Sequence, residues 1–223
     1  MQTNENYLQQ TLSVSEVYRS LQGEASLAGL PCVLIRLTGC NMDCSWCDTL
    51  HAREETGTLM TIAQILDKVN SLDTPRVELT GGEPLLQPAA VSLLSALCEA
   101  GYQTLVETNG SVDISTLDSR VIRIVDVKCP ASGMSEMNRF ENLDLLRSRD
   151  EVKFVIAGAE DFAYAIDIVR KHRLTKKCSV IFSPVWGKIT AANLAEWILE
   201  SREDIRLGMQ LHKIIWPDID RGV

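Results

Sequence analysis

The chain has 223 residues, of which 45% are hydrophobic and 23% are charged, and its formal net charge is −8 at pH 7. This length suits one substantial core, and the acidic balance argues against a large nucleic-acid surface, which would need clustered Lys and Arg. The sequence has no run of about 18 apolar residues and its polar beginning does not resemble a secretory signal, so we expect one cytoplasmic domain over residues 1–223, with no membrane or nucleic-acid partner.

Short apolar strands alternate with segments of helical period. The first predicted strand is CVLIRLTG (32–39), and a helix begins at Thr61, where Gln64 completes a capping-box pattern. The strand RVELT (76–80), the glycine turn GGEP (81–84), a helix over 88–100 and the strand YQTLVET (102–108) follow, with Gly101 as a helix stop.

The second half continues the alternation. It contains the strands VIRIVDVK (121–128), EVKFVIA (151–157) and CSVIFSPV (178–185), helices marked by Phe162, Ile166 and Val169 and by residues 190–202, and a final strand IRLGMQLHK (205–213). Strands that alternate with helices favour right-handed crossovers and a mostly parallel sheet. A doubly wound sheet and a complete or partial barrel both fit this pattern.

Polar residues follow most of the predicted strands. Reactive groups in parallel α/β proteins gather beyond the carboxyl ends of the strands, so we expect these residues to meet at one rim. They are Cys40, Cys44, Cys47, Thr80, Gly81, Gly82, Glu83, Glu107, Thr108, Asn109, Asp126, Lys128, Ser183, His212 and Lys213.

Three of the seven cysteines form a CxxxCxxC pattern after the first strand, at Cys40, Cys44 and Cys47. In a reducing compartment this spacing indicates metal binding or redox chemistry. A zinc site would need a fourth ligand, for which Asp48 or His51 lies nearby, and a CSWC dithiol leaves Cys40 unexplained. A [4Fe–4S] cluster on three thiolates would keep one iron open for chemistry, and we favour it over the other two.

The cysteine pattern with Trp46 before its last member, together with TGGEP after the next strand, resembles the signature of the radical S-adenosylmethionine (SAM) superfamily. The resemblance implies a [4Fe–4S] cluster whose open iron is chelated by SAM. It also implies an α/β fold with a partial, incomplete TIM-type barrel and a mostly parallel sheet. Gly81 and Gly82 would let the backbone approach the methionine end of the cofactor.

Other segments resemble the 7-carboxy-7-deazaguanine synthase family over nearly the whole chain: SLQGEA (20–25), VLIRLTGCN (33–41), CDT (47–49), ELTGGEPLL (78–86), VETNG (106–110), DVKCPASG (126–133), EVKFVI (151–156) and QLHK (210–213). The resemblance implies a lyase of queuosine and deazapurine biosynthesis that converts 6-carboxy-5,6,7,8-tetrahydropterin to 7-carboxy-7-deazaguanine with release of ammonia. It further implies Mg²⁺, a homodimer, and flavodoxin or ferredoxin as the reductant.

The family's motifs give the expected site residues. The cluster would be bound by Cys40, Cys44 and Cys47, Mg²⁺ by Thr49, and the substrate by Leu21, Gln22, Gly23, Arg36 and Thr80. The SAM contacts would be Trp46, Cys47, Asp48, Gly82, Asp126, Val127 and Lys128, with Glu83 and Asn109 as further candidates. Catalysis itself is assigned to no side chain, because the radical would form at the cofactor.

Arg36 lies in an apolar strand and needs an anionic partner. That partner is either the substrate carboxylate or a structural acid such as Glu24. The chain departs from the family pattern at Ala25, where glycine is expected, at the DVK segment, and in a longer C-terminus. An activating enzyme for a glycyl radical in a partner protein, or a noncatalytic iron–sulfur or zinc protein, also fits the cysteines.

Overall fold

The computed structural model describes residues 6–223, so the first positions of the expected 1–223 domain lie outside the described part. The strands are β1 (Thr11–Leu21), β2 (Pro31–Leu37), β3 (Thr58–Thr61), β4 (Arg76–Gly81), β5 (Gln103–Thr108), β6 (Ile122–Val127), β7 (Glu151–Ile156), β8 (Ser179–Pro184) and β9 (Arg206–Leu207). The helices are α1 (Leu50–Glu54), α2 (Ile62–Ser71), α3 (Ala89–Glu99), α4 (Ala159–His172), α5 (Ala191–Ser201) and α6 (Leu211–Ile215).

The nine strands within residues 6–223 belong to one sheet, in the order β3-β1-β2-β4-β5-β6-β7-β8-β9. Neighbouring strands pair in parallel along the series β2, β4, β5, β6, β7, β8 and β9. Strand β1 pairs antiparallel with both β2 and β3. Because β3 and β9 are the two edges, the sheet is not closed. The predicted mostly parallel sheet of an incomplete barrel is therefore confirmed.

The two faces of the sheet differ sharply in polarity. Residues such as Val33, Ile35, Val77 and Leu79 are fully buried and belong to one hydrophobic core with the apolar stripes of α2, α3, α4 and α5. Because side chains alternate along a strand, the intervening residues point to the other face. This inner face carries charged and polar groups in neighbouring strands. Arg36 pairs with Thr80, Asp126 pairs with Lys153, Glu78 lies on β4 and Glu107 lies on β5.

Helix α2 begins as the sequence predicts. The Thr61 hydroxyl accepts a hydrogen bond from Gln64 N (3.2 Å), and Gln64 Oε1 accepts one from Thr61 N (2.8 Å). This capping box satisfies two backbone donors at the helix start. No helix within residues 6–223 is long and apolar enough to cross a bilayer.

The predicted final strand over residues 205–213 is wrong beyond Leu207. Strand β9 has only two residues, and α6 occupies Leu211–Ile215. The chain turns away because Leu211 N donates a hydrogen bond to Gly23 O (2.8 Å), in the loop after β1. Strands β1 and β3 were not predicted; β1 alternates polar and apolar residues, as is typical of a partly exposed antiparallel strand.

Candidate active site

A cavity of about 430 Å³ lies at the carboxyl ends of the parallel strands, within the usual range of ligand pockets. All the predicted site residues except Glu83 and Val127 line it: Leu21, Gln22, Gly23, Arg36, Cys40, Cys44, Trp46, Cys47, Asp48, Thr49, Thr80, Gly82, Asn109, Asp126 and Lys128. The fold thus brings the cysteine loop and the predicted substrate residues to one space.

The three cysteines follow β2 on a loop that borders the cavity, and all three are free and partly buried. Burial raises the pKa of Cys44, while Lys128 lowers it. In the described part of the chain, no three His, Cys, Asp or Glu side chains converge closely enough to bind a single ion. An iron–sulfur cluster takes its thiolates on separate irons, and this loop presents all three cysteines to one cavity.

The glycine turn packs directly against the cysteine loop. A Cβ on Gly82 would lie 2.2 Å from Gly39 O, and one on Gly81, whose φ is +144°, would lie 2.2 Å from Leu37 O. Glu83 N also donates a hydrogen bond to Gly39 O (2.8 Å). These glycines are therefore required by contact between two segments of the chain, a role that the motif alone did not indicate.

Glu83 lies beneath this turn and is fully buried. Its carboxylate accepts hydrogen bonds from the Thr108 hydroxyl (2.9 Å), Asn109 N (2.7 Å) and Leu85 N (3.0 Å). The side chain thus joins the glycine turn to the end of β5. Its role in cofactor binding stays a prediction, as does that of Val127, whose side chain lies in the hydrophobic core.

Lys153 is buried at the centre of the inner face. Its Nζ lies 2.6 Å from Glu24 Oε2 and 3.6 Å from Asp126 Oδ2, and it also donates a hydrogen bond to Glu107. Desolvation favours the neutral amine, but the three carboxylates outweigh it and hold the pKa of Lys153 well above its usual value. Lys153 is therefore the cation that makes a cluster of buried acids possible.

Asp126 has one satisfied oxygen and one unsatisfied oxygen. Lys128 Nζ donates to Oδ2 (2.9 Å), whereas Oδ1 is buried without a hydrogen-bond partner among the described residues. An unsatisfied buried acceptor is costly. Because Asp126 lines the cavity, a ligand with hydroxyl or amino donors, as SAM has, fits this position.

Arg36 is held by two neighbours on β1. Its Nε donates to Glu16 Oε1 (2.9 Å), and its Nη2 donates to the Tyr18 hydroxyl (3.0 Å). A structural acid is thus present, although it is Glu16 and not Glu24. The guanidinium still lines the cavity, and its Nη1 group makes no hydrogen bond to a residue of the described part.

Gln22 is fixed at both ends of its amide. Its Nε2 donates to Glu78 Oε2 (2.9 Å), and its Oε1 accepts a hydrogen bond from Glu24 N (2.7 Å). The next residue, Gly23, lies so close to α6 that an added Cβ would be 2.7 Å from His212 Nδ1. The predicted substrate segment is therefore held by the sheet on one side and by α6 on the other.

Thr49 and Asp48 connect the cysteine loop to α6. The Thr49 hydroxyl donates to Asp48 Oδ1 (3.0 Å), and Lys213 Nζ lies 2.7 Å from Asp48 Oδ2. Desolvation raises the pKa of Asp48, but Lys213, the Thr49 hydroxyl and Lys153 together outweigh it and hold that pKa below its usual value. The site thus offers a hydroxyl and an ionised carboxylate side by side, both of which are oxygen ligands of the kind that Mg²⁺ takes.

The segment after α6 also borders the cavity, through Trp216, Pro217, Ile219, Asp220 and Val223. The Tyr18 hydroxyl, which accepts the hydrogen bond from Arg36, donates one to Val223 O (3.1 Å). The longer C-terminus noted in the sequence therefore lies at the predicted substrate site.

Sequence reasoning did not assign Glu78, Lys153 and Gln210 to the site, although all three line the cavity. Glu78 and Lys153 were detectable, because each is a charged residue inside an apolar strand, as Arg36 is. Gln210 carries no such signal, since the segment that contains it was predicted to be a strand.

The family model of the Radical SAM superfamily matches residues 34–198 of this chain. The 7-carboxy-7-deazaguanine synthase of Chlorobaculum tepidum is 45% identical over 215 residues, which cover 95% of this chain and 97% of the relative. The enzyme of that name from Koribacter versatilis is 42% identical, with 95% and 100% covered. The crystal structure of QueE from Escherichia coli superposes with a TM-score of 0.80 at 23% identity and covers 95% of this chain and 100% of the other.

Proposed function

The chain belongs to the 7-carboxy-7-deazaguanine synthase family of the radical SAM superfamily, and on that premise we propose that its cavity converts 6-carboxy-5,6,7,8-tetrahydropterin to 7-carboxy-7-deazaguanine and ammonia. The observation that carries this proposal is one cavity that joins three cysteines to the charged inner face of the sheet. The reaction places the protein in deazapurine biosynthesis, which includes the route to queuosine, as a carbon–nitrogen lyase. A glycyl-radical activating protein or a noncatalytic iron–sulfur protein is not favoured, since relatives that match nearly the whole chain carry the synthase name.

Membership of the superfamily implies a [4Fe–4S] cluster and SAM, and the described residues fit both. Cys40, Cys44 and Cys47 would bind three irons, and the unsatisfied Oδ1 of Asp126 would accept a hydrogen bond from SAM, with Lys128 beside it. When bound, the cluster and SAM supply the 5′-deoxyadenosyl radical that removes a hydrogen atom from the substrate. Trp46, Asp48, Gly82 and Asn109 also line the cavity.

The substrate carboxylate would meet Arg36. Glu16 and Tyr18 hold the guanidinium through Nε and Nη2, and Nη1 is left for a ligand, so a carboxylate can bind it with little loss of side-chain entropy. Leu21, Gly23 and Thr80 also line the cavity, as do Trp216, Pro217, Ile219, Asp220 and Val223 of the C-terminal segment.

Mg²⁺ would bind at Thr49, completed by water and substrate oxygens. The metal would orient the substrate, and Asp48 would support it from the neighbouring position. In a Thr49→Val variant, half-maximal turnover should require at least about tenfold more Mg²⁺, the loss expected for one ligand or its support. Thr58→Val, on an exposed edge strand, is the control, and an equal Mg²⁺ requirement in both variants would remove Thr49 from the metal site.

The remaining assignments concern partners and location. We propose a homodimer, reduction by flavodoxin or ferredoxin, and a cytoplasmic location. All seven cysteines are free, as expected in a reducing compartment.

The test is an anaerobic assay. The cluster is reconstituted, dithionite, SAM, Mg²⁺ and carboxytetrahydropterin are added, and the deazaguanine is sought by mass spectrometry. Formation of the product supports the function. An intact, reduced cluster that cleaves SAM without forming the deazaguanine would refute it.

A further inference from the structure

Four carboxyl groups face the cavity from the sheet and the loop after β1, and one of them differs from the rest. Glu24, Glu107 and Asp126 each lie within 4.0 Å of Lys153. Glu78 has no Lys, Arg or His nitrogen within that distance in residues 6–223, although it is only 2% exposed. A buried carboxylate without a cation is unfavourable, so Glu78 occupies a position that favours the neutral acid.

The hydrogen bonds of Glu78 leave one oxygen available. Oε2 accepts from Gln22 Nε2 (2.9 Å), and because Glu24 N fixes the other end of that amide (2.7 Å), Gln22 can present only its amino group to Glu78. Oε1 makes no hydrogen bond within the described residues, and the side chain lines the cavity. In the neutral acid, Oε1 is therefore the hydroxyl oxygen that can donate to a ligand.

The surroundings of Glu78 as a whole favour the neutral acid. Burial raises its pKa, as do Glu107 on β5 and Glu24, while Gln22 and Lys153 on β7 lower it, and the net result is a pKa of about 8. Tyr18 on β1 and Cys32 on β2 also face it, each as a neutral group, since burial raises the pKa of both. Glu78 thus stays protonated near neutral pH.

We propose that Glu78 is a substrate-binding residue whose carboxyl hydroxyl donates a hydrogen bond to the 4-oxo oxygen of the pterin ring. This assignment rests on the proposed function and adds a specificity element to it. An ionised carboxylate can only accept hydrogen bonds, and so would select a ring with an amino group at that place. A neutral acid selects the ring carbonyl instead.

The test measures binding without turnover. The reconstituted enzyme with SAM, Mg²⁺ and no reductant is titrated with 6-carboxypterin, which keeps the 4-oxo group, and with 2,4-diaminopteridine-6-carboxylate, which has an amino group in its place. Titrations at about pH 6.5 and about pH 9 compare the wild type with Glu78→Gln, whose amide keeps a donor at the same place. Glu151→Gln is the matched control, because Glu151 is a buried acid on the same sheet face with a raised pKa but does not line the cavity.

In the wild type and in Glu151→Gln, affinity for 6-carboxypterin should fall about tenfold more between about pH 6.5 and about pH 9 than in Glu78→Gln, since an acid loses about 90% of its proton one unit above its pKa. Ionisation of the ring N3–H of the ligand affects all three proteins equally, so the difference between them reports on Glu78. In Glu78→Gln the preference for the 4-oxo ring should persist at both pH values. Glu78→Met, which has no donor, should bind at least about tenfold more weakly at about pH 6.5.

Two results would overturn the assignment, and they are distinguishable. Binding of 6-carboxypterin with the same pH profile in the wild type and Glu78→Gln would remove the Glu78 contact and leave the synthase function standing. Failure of the wild type to bind either pteridine at either pH would contradict the pterin site itself, and with it both the contact and the proposed function.

Discussion

Lys153 Nζ lies 2.6 Å from Glu24 Oε2, although the two residues are 129 positions apart in the chain. The contact joins β7 to the loop after β1 across the inner face of the sheet. Since that loop also holds Gln22 and Gly23, the position of the predicted substrate segment depends on a lysine from a distant strand.

Lys153→Met should destabilise the protein by about 3 to 5 kcal/mol, because it leaves Glu24, Glu107 and Asp126 buried without their shared cation. Equilibrium unfolding in urea measures the change. Lys177→Met is the control: its ion pair with Asp144 is partly exposed and should contribute less than about 1 kcal/mol. Equal losses in the two variants would contradict the central role of Lys153.

Glu78 should make stability depend on pH in a defined direction. The folded state raises its pKa to about 8, so the folded protein binds more protons than the unfolded chain between the normal carboxyl range and that value. Its contribution is complete below the unfolded pKa and is lost as the pH rises towards about 8. The free energy of unfolding should fall by several kcal/mol more over this interval in the wild type than in Glu78→Gln. Parallel curves would show that Glu78 is already ionised when folded.

Arg36→Ala should weaken substrate binding by about 2 to 5 kcal/mol, the range for removing one member of a buried charged pair. Glu16 loses its own partner in that variant, so Arg36→Lys is also needed: it keeps the charge and should recover only part of the affinity. Titration of the reduced pterin under anaerobic conditions measures both. Arg120→Ala, at an exposed pair with Asp118, is the control, and unchanged affinity in Arg36→Ala would remove Arg36 from the site.

Glu83→Gln should destabilise the fold by about 1 to 3 kcal/mol even without cofactors. In the wild type the carboxylate accepts hydrogen bonds from the backbone N–H groups of Leu85 and Asn109. In the variant an amide N–H group would face one of these donors and leave it unsatisfied. Urea unfolding of the cluster-free protein measures this, with the exposed Glu200→Gln in α5 as the control. If Glu83→Gln keeps full stability and loses only SAM affinity, the buried carboxylate acts on the cofactor and does not support the turn.

Ala25→Gly should stabilise the protein by about 1 kcal/mol. Ala25 has φ +57°, a left-handed conformation that costs a residue with a Cβ about 1 to 2 kcal/mol, partly offset by the greater freedom of glycine in the unfolded chain. Ala192→Gly, in α5, should have the opposite sign. Thermal unfolding compares them, and a lower midpoint for Ala25→Gly would contradict the prediction.

The sequence predicted most of the sheet, because each parallel strand is a short apolar run between loops and helices. It did not predict β1, which has more polar residues than the apolar runs of the parallel strands, or the helix at Leu211–Ile215, which depends on the contact between Leu211 and Gly23. Ala25, which replaces the glycine expected from the family pattern, has a left-handed backbone conformation.

The candidate site was predicted from its sequence motifs and from the polar residues that follow the predicted strands. Cys40, Cys44 and Cys47 follow one strand, and Thr80 and Gly82 follow or end the next, so their convergence follows from parallel pairing. The partner of Arg36 could not be read in this way: Glu16 is its antiparallel neighbour on β1, a strand that was not recognised. The shared ion pairs of Lys153 likewise join segments too distant in the chain for a local pattern to reveal.

The alternation of side chains along β4, β6 and β7 separates two tasks within the same few residues. Positions such as Glu78, Asp126 and Lys153 determine what the interior can hold, while their immediate neighbours pack against the helices. Ligand preference can therefore change during evolution, or in a library randomised at inner positions alone, while the hydrophobic layer behind them stays intact. The same short strands could in this way have given rise to enzymes that share an architecture and act on chemically unrelated molecules.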